Sequence, residues 1–121
     1  MLLTIRAAQM ESFRVQRRRE FAPKLARLLR GYWPDRYLAL GPRDFEALVL
    51  RALEQGASYG FETERQLGMF VNVVFALGEG FDEDPRQVWA LRILRSTRPA
   101  GRKIERLCSE TSRRLRAGDP R

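Results

Sequence analysis

Histidine is missing from this 121-residue chain, cysteine occurs once and lysine only twice, while arginine supplies the remaining 21 of its 23 cationic side chains. Without imidazole the chain lacks the side chain that ordinarily changes charge near neutral pH. The usual general base, the commonest zinc ligand and the usual partner of a nucleophilic serine or cysteine go with it. A lone Cys108 forms no internal disulfide, which fits a reducing compartment or indifference to redox state. Ile104, Leu107 and Thr111 lie at helical spacing around it, so a buried structural thiol is expected, not a nucleophile. Long apolar runs are absent too. The longest, around Val73 to Leu77, falls far short of the roughly 20 residues that cross a bilayer. Met1-Leu2-Leu3-Thr4-Ile5-Arg6 turns charged too soon for a secretory signal. A cytoplasmic protein without membrane insertion is expected. No glycine-rich phosphate loop, nucleophile elbow or metal-ligand spacing occurs, so neither enzymatic activity nor a cofactor or metal is expected.

What the chain does have is charge and helical punctuation. The net charge is +8, which favours an anionic partner: nucleic acid, an acidic membrane surface or an acidic protein. Codon bias produces the same excess, and here acidic residues are interspersed among the basic ones. The apolar fraction of 44% suffices for a core without staples, and the length fits a single helical domain over 1–121 with frayed ends at 1–8 and 117–121.

Strand-like alternation is nearly absent, and glycine and proline divide the chain into about five helices. The first runs from about Gln9 to Leu29 with Met10, Phe13, Phe21, Leu25 and Leu28 as its apolar side. Pro23 makes it either one kinked helix or two, and Gly31 to Asp35 ends it. Gly41-Pro42 opens the second, whose Phe45, Leu48, Val49, Ala52 and Leu53 follow i, i+3, i+4, i+7, i+8. Thr63-Glu64-Arg65-Gln66 reads as a capping box before Leu67, Phe70, Val71, Val74 and Phe75. Met69, Val73 and Ala76 extend this apolar surface around most of the third helix, with Asn72 expected as a hydrogen-bonded core residue. Gly78 and Gly80 end that helix, and Asp84 with Pro85 starts a fourth carrying Val88, Trp89, Leu91 and Leu94. A last helix covers roughly Arg102 to Arg116. The sum is an all-α, compact antiparallel bundle with the third helix central.

Glu79, Asp82, Glu83 and Asp84 form an acidic knot without the ligand spacing of a calcium loop. Flanked by Phe81 and Trp89, it stands as a rigid acidic corner on a basic molecule. That corner is either a recognition feature or a loop that Phe81 pins to the core. Tyr59 and Trp33, near helix ends, either lid the core or anchor an interface. The candidate partner-binding residues are therefore Phe81, Asp82, Asp84, Trp89, Tyr59 and Trp33. The clusters Arg17-Arg18-Arg19 and Arg113-Arg114-Arg116 have no interleaved aromatics of the kind that stack single-stranded bases.

Several segments resemble a family of small helical proteins encoded beside type VI secretion effectors in Gram-negative bacteria. They are Leu3-Thr4-Ile5-Arg6 with Gln9-Met10, Tyr32-Trp33-Pro34, Leu40-Gly41, and Tyr59-Gly60-Phe61 with Thr63-Glu64-Arg65. The strongest is Phe75-Ala76-Leu77-Gly78 with Phe81-Asp82-Glu83-Asp84-Pro85 and Trp89-Ala90. The similarity spans roughly Leu3 to Leu94. It implies a non-catalytic accessory co-chaperone that binds a secreted effector or the adaptor chaperone escorting it to the secretion spike. A nucleic-acid-binding helical domain is the alternative expectation, and an immunity protein that binds a toxin the third.

Overall fold

The computed structural model describes residues 2–118, and side chains from Gln9 onward. The expected fraying at Met1 and 119–121, and the side chains of 1–8, lie outside the described residues. All regular structure among them is helical: α1 (Leu2–Tyr32), α2 (Pro34–Ser58), α3 (Glu64–Leu77), α4 (Val88–Leu94) and α5 (Ala100–Arg116). The all-α class holds. The chain divides into two compact units, 1–51 and 52–121, and α2 runs across the division.

In the first unit α1 continues through Pro23 as one element. Its buried residues are Ala22, Leu25, Ala26 and Leu29, an i, i+3, i+4, i+7 stripe narrower than the one read from the sequence. Met10, Phe13 and Leu28, expected on the apolar side facing inward, are instead exposed. At ~100° per residue they fall, with Tyr32, on a sector turned by roughly a third of the cylinder from the buried one. Ala22 and Ala26 take two of the four buried positions, and larger apolar side chains are left outside.

The backbone then turns on Trp33, whose amide donates to the Leu29 carbonyl (2.8 Å) while its own carbonyl accepts from Tyr37 (3.0 Å). Pro34 and Asp35, read as a terminator, also satisfy the requirements of a helix start, and α2 begins there. The expected opening at Gly41-Pro42 survives as a break inside α2, because Gly41 adopts φ 81°, ψ 165° and Pro42 restarts the helix. The ring of Tyr37 packs edge-on against Phe45 at 5.3 Å. Phe45, Leu48, Val49, Ala52 and Leu53 are all buried, as their spacing predicts.

The second unit is built around α3. Eight of its fourteen residues are buried, from Leu67 to Leu77, and it packs against α5. Gly56 lets the last turns of α2 approach closely, since a Cβ there would stand 3.0 Å from the Phe70 ring. Asn72 is exposed and not a core residue; it falls on the narrow polar strip opposite the buried face. The capping box forms as expected: the Gln66 amide donates to the Thr63 hydroxyl at 3.0 Å, and the Gln66 side chain accepts from the Thr63 amide at 3.4 Å. We expect Thr63→Ala to lower unfolding free energy by about 1 kcal/mol in urea titrations. An unmoved midpoint would show the cap to be dispensable.

Gly78, at φ 104°, ends α3 with its amide on the Val74 carbonyl at 2.8 Å. Two 3-10 turns follow, Phe81–Glu83 and Pro85–Gln87. Asp84 caps the second, accepting from the Arg86 amide at 2.9 Å. The helix expected to begin at Asp84 therefore starts later, at Val88, because Gln87 at φ −126°, ψ 36° interrupts helical geometry. Val88, expected on its apolar side, is exposed, and Ala90, Ile93 and Leu94 take the buried positions. The Lys103 ammonium donates to the Leu94 carbonyl at 3.1 Å, satisfying one of the carbonyls left open at the end of α4.

Candidate functional site

Two of the segments that carry the sequence resemblance, the one around Tyr59 and Phe61 and the one around Phe81 and Asp82, meet in the second unit. The Tyr59 hydroxyl donates to Asp82 at 2.5 Å, tying the loop after α2 to the turn after α3. Behind that bond Phe70 sits at the centre of a ring cluster, with Phe61 at 5.7 Å, Phe81 at 5.8 Å and Tyr59 at 6.1 Å. Burial, then the hydrogen bond and charge of Asp82, push the Tyr59 phenol up to about 12. Tyr59 is half-buried, so it serves as a lid whose polar tip is committed to the turn.

The acidic corner is accordingly occupied with its own structure. Phe81 is 2% exposed and takes the loop-pinning role, which leaves it no surface to offer a partner. Asp82 is held by Tyr59. Asp84 caps the 3-10 turn and also bonds the Arg86 guanidinium at 3.1 Å, which with the backbone bond lowers its carboxyl below the ordinary value. Trp33 belongs to the first unit, half-buried at the junction of α1 and α2. Of the residues singled out from the sequence, Trp89 opens onto a concavity.

That concavity is a groove of about 580 Å³ formed by α4, α5 and the loop joining them. Trp89, Arg92 and Arg98 line one part of it and Arg106, Glu110 and Arg114 another. The Arg114 guanidinium lies over the Trp89 ring, 4.5 Å from its centre, and its Nε donates to Glu110 at 3.1 Å. Glu110 also bonds Arg113, whose Nε lies 3.1 Å away, and these bonds pull its carboxyl down to about 2. The single acid lining the groove is thus charged at neutral pH and already shared between two cations. This arrangement selects a few of 21 arginines spread along the sequence, and residue spacing within one helix does not single it out.

The second surface that sequence reasoning missed is the outer sector of α1. Met10, Phe13, Leu28 and Tyr32 are 51%, 58%, 59% and 71% exposed. The small-residue spacing of Ala22 and Ala26 was the signal that could have separated this sector from the buried one.

Cys108 is half-buried, with its sulfur 3.9 Å from the Met69 carbonyl, and burial pushes the thiol up to about 11. It stays protonated at neutral pH, which makes it a poor nucleophile. Among the described residues no three His, Cys, Asp or Glu side chains gather into a metal-holding group. Among the same residues no helix is long and apolar enough to cross a membrane. No protein-family model matches the chain, and no curated protein or solved structure matches it.

Proposed function

We propose that this protein is a non-catalytic binding module, an accessory co-chaperone that holds a type VI secretion effector or its adaptor chaperone in the cytoplasm before export. The observation that carries the binding role is the outer sector of α1. Met10, Phe13, Leu28 and Tyr32 share one side of a helix and are each more than half exposed, over roughly 33 Å at 1.5 Å per residue. Large apolar side chains left bare at both ends of one helix sector, with the exposed cations Arg17 and Lys24 between them, suit a surface on which another macromolecule sits. Arg17 extends over the Phe13 ring at 5.8 Å, giving that surface the aromatic and arginine character found at the energetic centres of interfaces. The specific partner class is drawn from the sequence resemblance. Its segments around Tyr59, Phe61, Phe81 and Asp82 support the reading by acting together as one structural device, as parts of a common scaffold do.

The test is co-expression with the products of adjacent genes, followed by affinity purification. Wild-type protein is expected to recover an effector or adaptor. Met10→Glu combined with Phe13→Glu is expected to abolish recovery while leaving the helical circular dichroism spectrum intact. Because both side chains are exposed, the fold is expected to lose no more than about 0.5 kcal/mol per site. Recovery undiminished by the double substitution would remove α1 as the binding face.

A further inference from the structure

We propose that the groove formed by α4 and α5 binds an acidic segment of the partner protein, an extended stretch in which carboxylates flank an apolar side chain. The inference rests on the protein-binding reading in taking its occupant to be a polypeptide. The charge of the groove is lopsided: Arg92, Arg98, Arg106 and Arg114 face it, against the one carboxylate of Glu110. That carboxylate does not offset the others, because Arg113 and Arg114 already hold it. Arg92, Arg98 and Arg106 are exposed, and among the described residues none of them joins an ion pair. Three guanidinium forks at the rim of one concavity are matched by carboxylates, which accept two hydrogen bonds from each fork.

The remaining lining narrows the choice of occupant. Ile93 and the Trp89 ring supply an apolar patch within the arginine rim, which suits a leucine or phenylalanine between acids. A volume of about 580 Å³ admits a short extended stretch of chain, far less than a folded domain. Single-stranded nucleic acid fits less well. It draws its affinity from bases stacked on open aromatic faces, and Arg114 already covers a face of Trp89, the one aromatic lining the groove. The stacked and hydrogen-bonded Arg114 is also held in place before binding, which lowers the ordering cost of engaging a ligand.

The test uses the full chain and a short fluorescein-labelled peptide of aspartate and glutamate around a leucine-phenylalanine pair, followed by anisotropy. Arg92→Glu with Arg106→Glu is expected to weaken binding by about tenfold or more, as loss and reversal of interfacial charge do. Arg27→Glu with Arg43→Glu carries the same change in net charge on residues that do not line the groove. It is expected to cost less than about threefold, the share due to screened long-range attraction. Arg98→Gln provides a milder variant, and thermal melting verifies that each is folded. Equal weakening by the two reversals overturns the proposal in favour of mere net charge. An oligothymidylate that binds more tightly than the peptide, and loses that affinity with Arg92→Glu and Arg106→Glu, overturns it in favour of nucleic acid. The broader reading fails separately. If the wild type recovers a partner and the groove variant recovers it equally well, the groove is wrong and the co-chaperone reading stands. If no partner is recovered while peptide binding still depends on the groove, the co-chaperone reading falls and the groove stands.

Discussion

Replacing Phe70 by alanine is expected to lower unfolding free energy by about 3–5 kcal/mol, the range for emptying a fully buried aromatic site. Phe70 is 0% exposed and lies at the centre of the ring cluster. Phe61, Phe81 and Tyr59 surround its ring, and Gly56 gives up its side chain to let α2 reach it. Phe61 and Phe81, which border its ring, are themselves buried, so removing the ring opens a cavity between them. Against a total stability of about 5–15 kcal/mol for an ordinary domain, such a loss is large. Urea titration followed by far-ultraviolet circular dichroism measures it, with Phe70→Leu as a substitution that keeps apolar volume and is expected to cost much less. A loss below about 1 kcal/mol for the alanine variant would mean that the ring cluster is ornamental.

Alkaline lability is the second large effect. Tyr59 is raised from an ordinary 10.0 to about 12, and Cys108 from 9.0 to about 11, in both cases chiefly by burial. Both are neutral when protonated, and the folded state holds the proton more tightly than the unfolded chain does. Their contribution to stability is therefore complete well below pH 9.0, where the unfolded thiol is half ionised. It is lost progressively as pH rises through the folded values to about 12. Guanidinium groups stay charged throughout that interval and do not obscure it. Denaturant midpoints measured from neutral pH upward should fall through this window. Tyr59→Phe together with Cys108→Ala should flatten the fall, and a profile unchanged by both would exclude these groups as its source.

Where the sequence was informative, one physical pattern operated without competition. The stripe from Phe45 to Leu53, the Thr63 capping box and the apolar cylinder of α3 were all legible because spacing alone decides them. The glycine stop at Gly78 was equally plain. On α1 two apolar sectors compete, and the buried one includes Ala22 and Ala26, small residues that a hydrophobicity pattern undervalues. Asp84 and Pro85 announced a helix start correctly, yet the turn they start is a 3-10 turn that Gln87 ends before α4 begins. The site was less legible than the fold. Phe81, Asp82 and Asp84 stood out in sequence because their loop is built from distinctive residues, but that distinctiveness serves the loop's own geometry. The groove beside Trp89 was illegible because it joins Arg92 and Arg98 to Arg106 and Arg114 across two helices.

Arginine holds nearly every cationic position, and the two lysines that remain differ in reactivity. The Lys103 amine is engaged on the Leu94 carbonyl, whereas Lys24 is exposed on α1. At ~100° per residue Lys24 falls within the same outer sector as Met10, Phe13 and Leu28. Acylating dyes and amine-directed cross-linkers, which ignore guanidinium, therefore meet a lysine chemistry concentrated at one accessible side chain. A fluorophore installed there is a built-in footprinting probe, shielded from quenchers when that flank of the molecule is covered and dimmed by them when it is bare.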